Sequence, residues 1–143
     1  MLLISHRGNI NGKIKNLENH PSYIDNALSL KYDVEIDIWC IDNQLYLGHD
    51  YGEYLIDDKW ILDREDNLWV HCKNVEAINH ISIYNTVNYF WHENDTITLT
   101  SKKYIWVNPG KQPIQNSIAV LPELYNEDVS KCLGVCSDYI KKY

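Results

Sequence analysis

Four short apolar segments each carry a pair of titratable side chains: His6 with Arg7, Glu35 with Asp37, His49 with Asp50, and His71 with Lys73. Two carboxylates two residues apart can hold a hard divalent cation through oxygen ligands. Two histidines, His6 and His49, can work as base and acid near neutral pH, because an unperturbed imidazole titrates at about 6.5. Arg7 can grip a phosphate with two parallel hydrogen bonds, and Lys73 can hold it as a point charge. Together these groups supply what hydrolysis of a phosphodiester requires. Weaker candidates for the substrate pocket are Glu18, Glu93, Trp106 and Glu123. An indole such as Trp106 would pack against the carbon part of a substrate. Glu18 also reads as a helix-start residue or a partner of Arg7.

These side chains need strands to position them. In Val34–Trp39 the two-residue period puts Glu35 and Asp37 on one face and Val34, Ile36 and Ile38 on the other. An exposed edge strand has the same alternation, so that segment alone does not decide. Leu68–Lys73 repeats it, with His71 and Lys73 opposite Val70 and Cys72. Further strand candidates are Leu2–Ser5, Leu45–Gly48, Val87–Trp91, Thr96–Thr100, Tyr104–Val107, Ile118–Leu121 and Gly134–Ser137. Apolar spacing of three and four predicts helices over Pro21–Lys31 and Val75–Tyr84, whereas Tyr54–Leu62 is ambiguous. Asp42-Asn43-Gln44 reads as a hairpin turn.

The chain has 143 residues, 45% of them hydrophobic and 23% charged, which predicts one domain spanning 1–143. Its net charge of −7 and lack of a basic stripe argue against nucleic acid as a partner. No run approaches the ~18 apolar residues of a membrane span, so stable membrane insertion is not expected. The start, Met1-Leu-Leu-Ile-Ser-His-Arg-Gly, has neither the basic residues nor the cleavage site of a signal peptide, and a cytoplasmic location is the expectation. Cys40, Cys72, Cys132 and Cys136 form no C-x-x-C pair and read as reduced, apolar thiols. His20 and His80 read as surface residues.

The ordered set of motifs resembles the glycerophosphodiester phosphodiesterases, within the wider group that includes phosphatidylinositol-specific phospholipases C. The family's His-Arg-Gly is similar to His6-Arg7-Gly8, its Glu-Asn to Glu18-Asn19 and its Glu-x-Asp to Glu35-Ile36-Asp37. Its His-Asp corresponds to His49-Asp50, its late Trp to Trp106, and its closing Gly-x-x-x-Asp to Gly134–Asp138. The resemblance implies an α/β fold, an abridged TIM-type (β/α)8 barrel of eight short parallel strands with several outer helices shortened or missing. It implies metal-dependent hydrolysis of a small phosphodiester, with His6 and His49 catalytic, Arg7 and Lys73 on the phosphate, and Glu35 and Asp37 on Mg2+ or Ca2+. Relatives carry a Glu where this chain has His71, so an imidazole ligand would favour Mn2+ or Zn2+. The insert that recognises glycerol in relatives is reduced to Tyr51–Asn67. Two alternatives stand beside this reading: a non-catalytic barrel that binds a phosphorylated small molecule, and a phospholipid lyase that forms a cyclic phosphate. Few covering helices would leave Val34, Ile36 and Ile38 partly bare, which predicts a homodimer or close partner.

Overall fold

A computed structural model describes residues 1–143. In chain order the strands are β1 (Leu2–His6), β2 (Asp33–Ile41), β3 (Gln44–Leu47), β4 (Tyr54–Ile56), β5 (Leu68–Cys72), β6 (Asn88–Phe90), β7 (Ile97–Leu99), β8 (Ile105–Val107), β9 (Ser117–Val120) and β10 (Gly134–Ser137). Three α-helices join them: α1 (Pro21–Ser29), α2 (Asp58–Leu62) and α3 (Val75–Ile81).

The strands form one mixed sheet that curls into a half-barrel. Along its main path β6, β5, β2, β1, β10, β9 and β8 run parallel. β7 is antiparallel to β8, and β3 and β4 form an antiparallel arm on the far half of β2. The expected barrel of eight parallel strands, and with it the TIM-type architecture, is therefore corrected. The cause is chain length. Parallel neighbours need a crossover of about a dozen residues. Only residues 100–104 separate β7 from β8, so that pair can only be a hairpin. β6 pairs only with β5, and the sheet does not close between β6 and the β7–β8 hairpin. Ser101 bridges that seam: its N–H donates to the Tyr89 carbonyl at 2.8 Å, and its hydroxyl accepts from the Tyr89 N–H at 2.9 Å.

The two-residue period of the strands separates two cores. Val34, Ile36, Ile38 and Cys40 face outward and join Ile24 and Ala27 of α1, Ala77 and Ile81 of α3, and Leu45, Leu47 and Ile56 of the arm in a cluster of 16 buried residues. Val34, Ile36 and Ile38 are 0% exposed, so the bare face that predicted a homodimer is absent. Inside the curl, Ile4, Trp69, Phe90, Trp106, Ile118, Val120 and Cys136 form a second cluster. Phe90 and Trp106 lie 4.6 Å apart between ring centres and pack across the seam that no ladder crosses.

Local signals account for the helix ends. Pro21 opens α1, where its missing N–H costs nothing. Lys31, at φ 71°, lies beyond its end, so α1 stops short of the expected Pro21–Lys31. Asn74 caps α3 by accepting the Ala77 N–H at 3.0 Å. Asp42 and Asn43 both adopt positive φ, as a two-residue hairpin turn between β2 and β3 requires. No helix is long and apolar enough to cross a membrane.

Candidate functional site

The parallel strands end on one edge of the sheet, and the inward side chains at those ends converge there. β1 supplies His6, with Arg7 following in a left-handed conformation at φ 57°. The Arg7 N–H donates to the Glu35 carbonyl at 3.0 Å, and the Arg7 carbonyl accepts from Asn19 at 3.0 Å. β2 supplies Glu35 and Asp37, and β5 supplies His71 directly opposite Asp37 in the ladder. His6, Arg7, Glu35, His49, His71 and Lys73 line a common cleft of about 540 Å3.

Asp37 is fully buried and saturated with partners. One carboxylate oxygen accepts from Asn19 Nδ2 at 2.9 Å and lies 2.9 Å from Arg7 Nε. That Nε–H is not aligned to donate, although it is buried. The other oxygen lies 3.1 Å from His71 Nδ1 and 3.9 Å from Lys73 Nζ. Burial alone would raise the Asp37 pKa, but the His71 hydrogen bond and the charges of Arg7 and Lys73 hold it well below the usual carboxylate range. Burial also works against the charge on Arg7, and Asp37, Glu35, Glu18 and Asp138 together hold it firmly protonated.

Glu35 is the opposite case. It is 3% exposed, and its Oε2 is buried without any hydrogen-bond partner. Burial, and then the neighbouring Asp37 charge, push its pKa up despite the nearby His6 and Arg7. A carboxylate left so short of partners is chemically suited to a cation. Glu35, Asp37 and His71 each offer a ligand atom, and these atoms all lie within 4.8 Å of one another. The residues present therefore fit a divalent metal, and the mixed oxygen and nitrogen donors suit Mn2+ or Zn2+ as well as Mg2+.

The two histidines differ in how they are held. His6 Nδ1 lies 2.7 Å from Asp138 Oδ1, and Asp138 also accepts from Asn9 Nδ2 at 2.8 Å. Burial works to raise the Asp138 pKa, but its bonds to His6 and Asn9 outweigh this and keep it ionised. An ionised carboxylate only accepts, so the His6 proton sits on Nδ1 and the lone pair is on Nε2, which is 3.9 Å from Glu35 Oε2. His49 stands at the mouth, 44% exposed, with Nδ1 2.8 Å from Asp50 Oδ1. Burial and the charges of Arg7 and Lys73 push its pKa down. Gly48 sets its position: at φ 150°, a Cβ there would meet the Tyr51 carbonyl oxygen at 2.0 Å.

The weaker candidates separate. Glu93 and Trp106 line the cleft. Glu18 lies beside it, accepting from Asn9 Nδ2 at 2.9 Å and standing 3.8 Å from Arg7. Glu123 does not line the cleft; its Oε1 accepts from the Ser137 hydroxyl at 2.9 Å and the Asp138 N–H at 3.1 Å. Asn9, Asn19 and Asp138 received no role from the sequence; they and His92, which follows a strand end beside Glu93, all belong to the site or its frame. The His92 ring stacks on His71 at 4.5 Å, and burial, then the proximity of His71, hold its pKa down to about 4. Asn19 and Asp138 stood inside the quoted motifs, and His92 stood with Glu93 at a strand end facing the rim, which were the available signals; Asn9 had none beyond adjacency to a motif. Compared with protein-family models, curated proteins and solved structures, the chain matches none.

Proposed function

We propose that the chain is a metal-dependent phosphodiesterase acting on a small phosphodiester. The observation that carries this reading is Glu35: a buried carboxylate without a hydrogen bond, beside Asp37 and His71, at the floor of a cleft that also holds two histidines and two cations. Glu35, Asp37 and His71 would hold the divalent ion, which when bound would stabilise negative charge on a nonbridging phosphate oxygen.

The chain's own groups perform the remaining work. Arg7 and Lys73 bind the phosphate and neutralise charge that builds up as the nucleophile attacks. His6 Nε2 takes the proton from that nucleophile, water or a neighbouring hydroxyl of the substrate. Asp138 fixes the tautomer of His6 and stabilises the imidazolium that forms. His49 gives its proton to the departing alkoxide, which would otherwise be a poor leaving group. Trp106, 3% exposed, walls the cleft with an apolar surface for the carbon part of the substrate.

Substitution of each histidine, assayed with two leaving groups, tests the assignment. His6→Ala should lose about 10²–10⁴-fold in rate on both alkyl and nitrophenyl phosphodiesters. His49→Ala should lose as much on the alkyl ester but far less on the nitrophenyl ester, whose leaving group departs without a proton. Full activity of both variants on the alkyl ester would overturn the reading. Binding of a phosphodiester by the wild-type protein with no turnover would support the non-catalytic alternative.

A further inference from the structure

On the outer side of β2, away from the cleft, four side chains form a chain of contacts that the proposed reaction does not use. Cys40 Sγ lies 3.8 Å from His80 Nδ1. His80 Nε2 lies 2.9 Å from both carboxylate oxygens of Asp58, and the Tyr84 hydroxyl donates to the same carboxylate. The imidazole is thus fixed with its Nε2–H on Asp58 and its Nδ1 lone pair towards the sulfur. A cavity of about 320 Å3 opens beside this pair, lined by Cys40, Asp42, Asn43, Glu76, Asn79 and His80.

The geometry points to a second metal site here, for a borderline-soft divalent ion such as Zn2+, with Cys40 Sγ and His80 Nδ1 as its protein ligands. Zinc bonds of about 2.3 Å to sulfur and 2.0 Å to nitrogen at the tetrahedral angle place the two donors about 3.5 Å apart, against the observed 3.8 Å. A carboxylate on the far nitrogen is the usual support for a metal-binding histidine, because it sets the tautomer and raises ligand basicity. Tyr84 in turn orients that carboxylate. The cavity walls contain no Lys or Arg, and Asp42 and Glu76 contribute negative charge, while water would fill the remaining coordination positions. The alternative use of such a triad, a nucleophilic thiol, needs a stabilised thiolate. Burial, then the Glu76 and Asp58 charges, push the Cys40 pKa the other way, which disfavours a free thiolate. On binding, the S–H bond of Cys40 breaks, an S–metal bond forms and the proton leaves to solvent; no oxidation state changes.

Cobalt(II) is the probe, because a thiolate ligand gives a sulfur-to-cobalt charge-transfer band in the near ultraviolet. The Glu35, Asp37 and His71 group contains no sulfur and cannot produce it. Two equivalents of Co2+, enough to fill both sites, added to the metal-free full chain should produce the band, and two equivalents of Zn2+ should bleach it. Cys40→Ser should abolish it, Glu35→Gln should leave it intact, and Asp58→Asn should weaken Co2+ affinity about 10–100-fold. His80→Gln, which keeps the thiol, should also lose tight binding and so separates loss of a ligand from loss of folding. No band in the wild-type protein, a band that survives Cys40→Ser, or unchanged affinity in His80→Gln would each overturn the site.

Discussion

Glu35 and Asp37 are two residues apart on one strand, yet their surroundings drive them in opposite directions. Asp37 is surrounded by donors and stays ionised, whereas burial beside Asp37 penalises the charge on Glu35. An ordinary Glu ionises near pH ~4.3. Above that pH the unfolded chain releases the Glu35 proton while the folded chain holds it, so metal-free stability falls until the raised folded value is passed. With chelator at pH 7, Glu35→Gln should therefore be more stable than wild type by about 1 kcal/mol, a few degrees in Tm. The gain should vanish near pH ~4, and added Mn2+ should raise the Tm of the wild type but not of the variant. Thermal melts at the two pH values, with and without metal, check this. Lys73 gives a kinetic counterpart. Among the influences that lower the His49 pKa, its charge acts after burial and Arg7. In Lys73→Met the pKa of the His49 proton donor should rise, moving the alkaline limb of the kcat/KM profile to higher pH while the maximum falls.

Short elements and their ends control where the reacting groups point. Asn74 caps α3 and also joins it to β2: its Oδ1 accepts from the Cys40 N–H at 3.1 Å, and its Nδ2 donates to the Cys40 carbonyl at 2.9 Å. Asn74→Ala should cost about 2–3 kcal/mol in a denaturant titration, the loss of a cap plus two strand groups left without partners. Gly48→Ala should displace His49 and reproduce the kinetic loss of His49→Ala in a folded protein, because the added Cβ cannot fit against Tyr51. The strands carrying Glu35, Asp37, His71 and Lys73 were legible in the sequence because a period of two exposes misplaced charges directly. The role of Asp138 was not, because it depends on β10 pairing with β1 from the opposite end of the chain. His80 and Cys40 read as a surface residue and an apolar thiol for the same reason: neither neighbours the other in sequence.

Across the whole molecule, the sheet stays open where the chain is too short to close it. Nine of the ten strands were legible as short apolar segments and β4 was not, and resemblance to a closed barrel could not say that residues 91–96 and 100–104 are too short for crossovers. The inner aromatic cluster therefore takes over from a ladder at the seam. Phe90→Ala should cost about 3–5 kcal/mol, and β7 amides should exchange with solvent faster than those of β1, β2 and β5. Seven parallel strands still deliver their ends to one edge, which is all that the site requires. Activity of the chelator-stripped protein on a generic phosphodiester decides whether this edge holds the proposed metal-dependent phosphodiesterase. No turnover is expected in the stripped wild type, with recovery on one added divalent ion, no recovery in Glu35→Ala and normal recovery in Cys40→Ser. Turnover without metal, or recovery in Glu35→Ala equal to wild type, would contradict it.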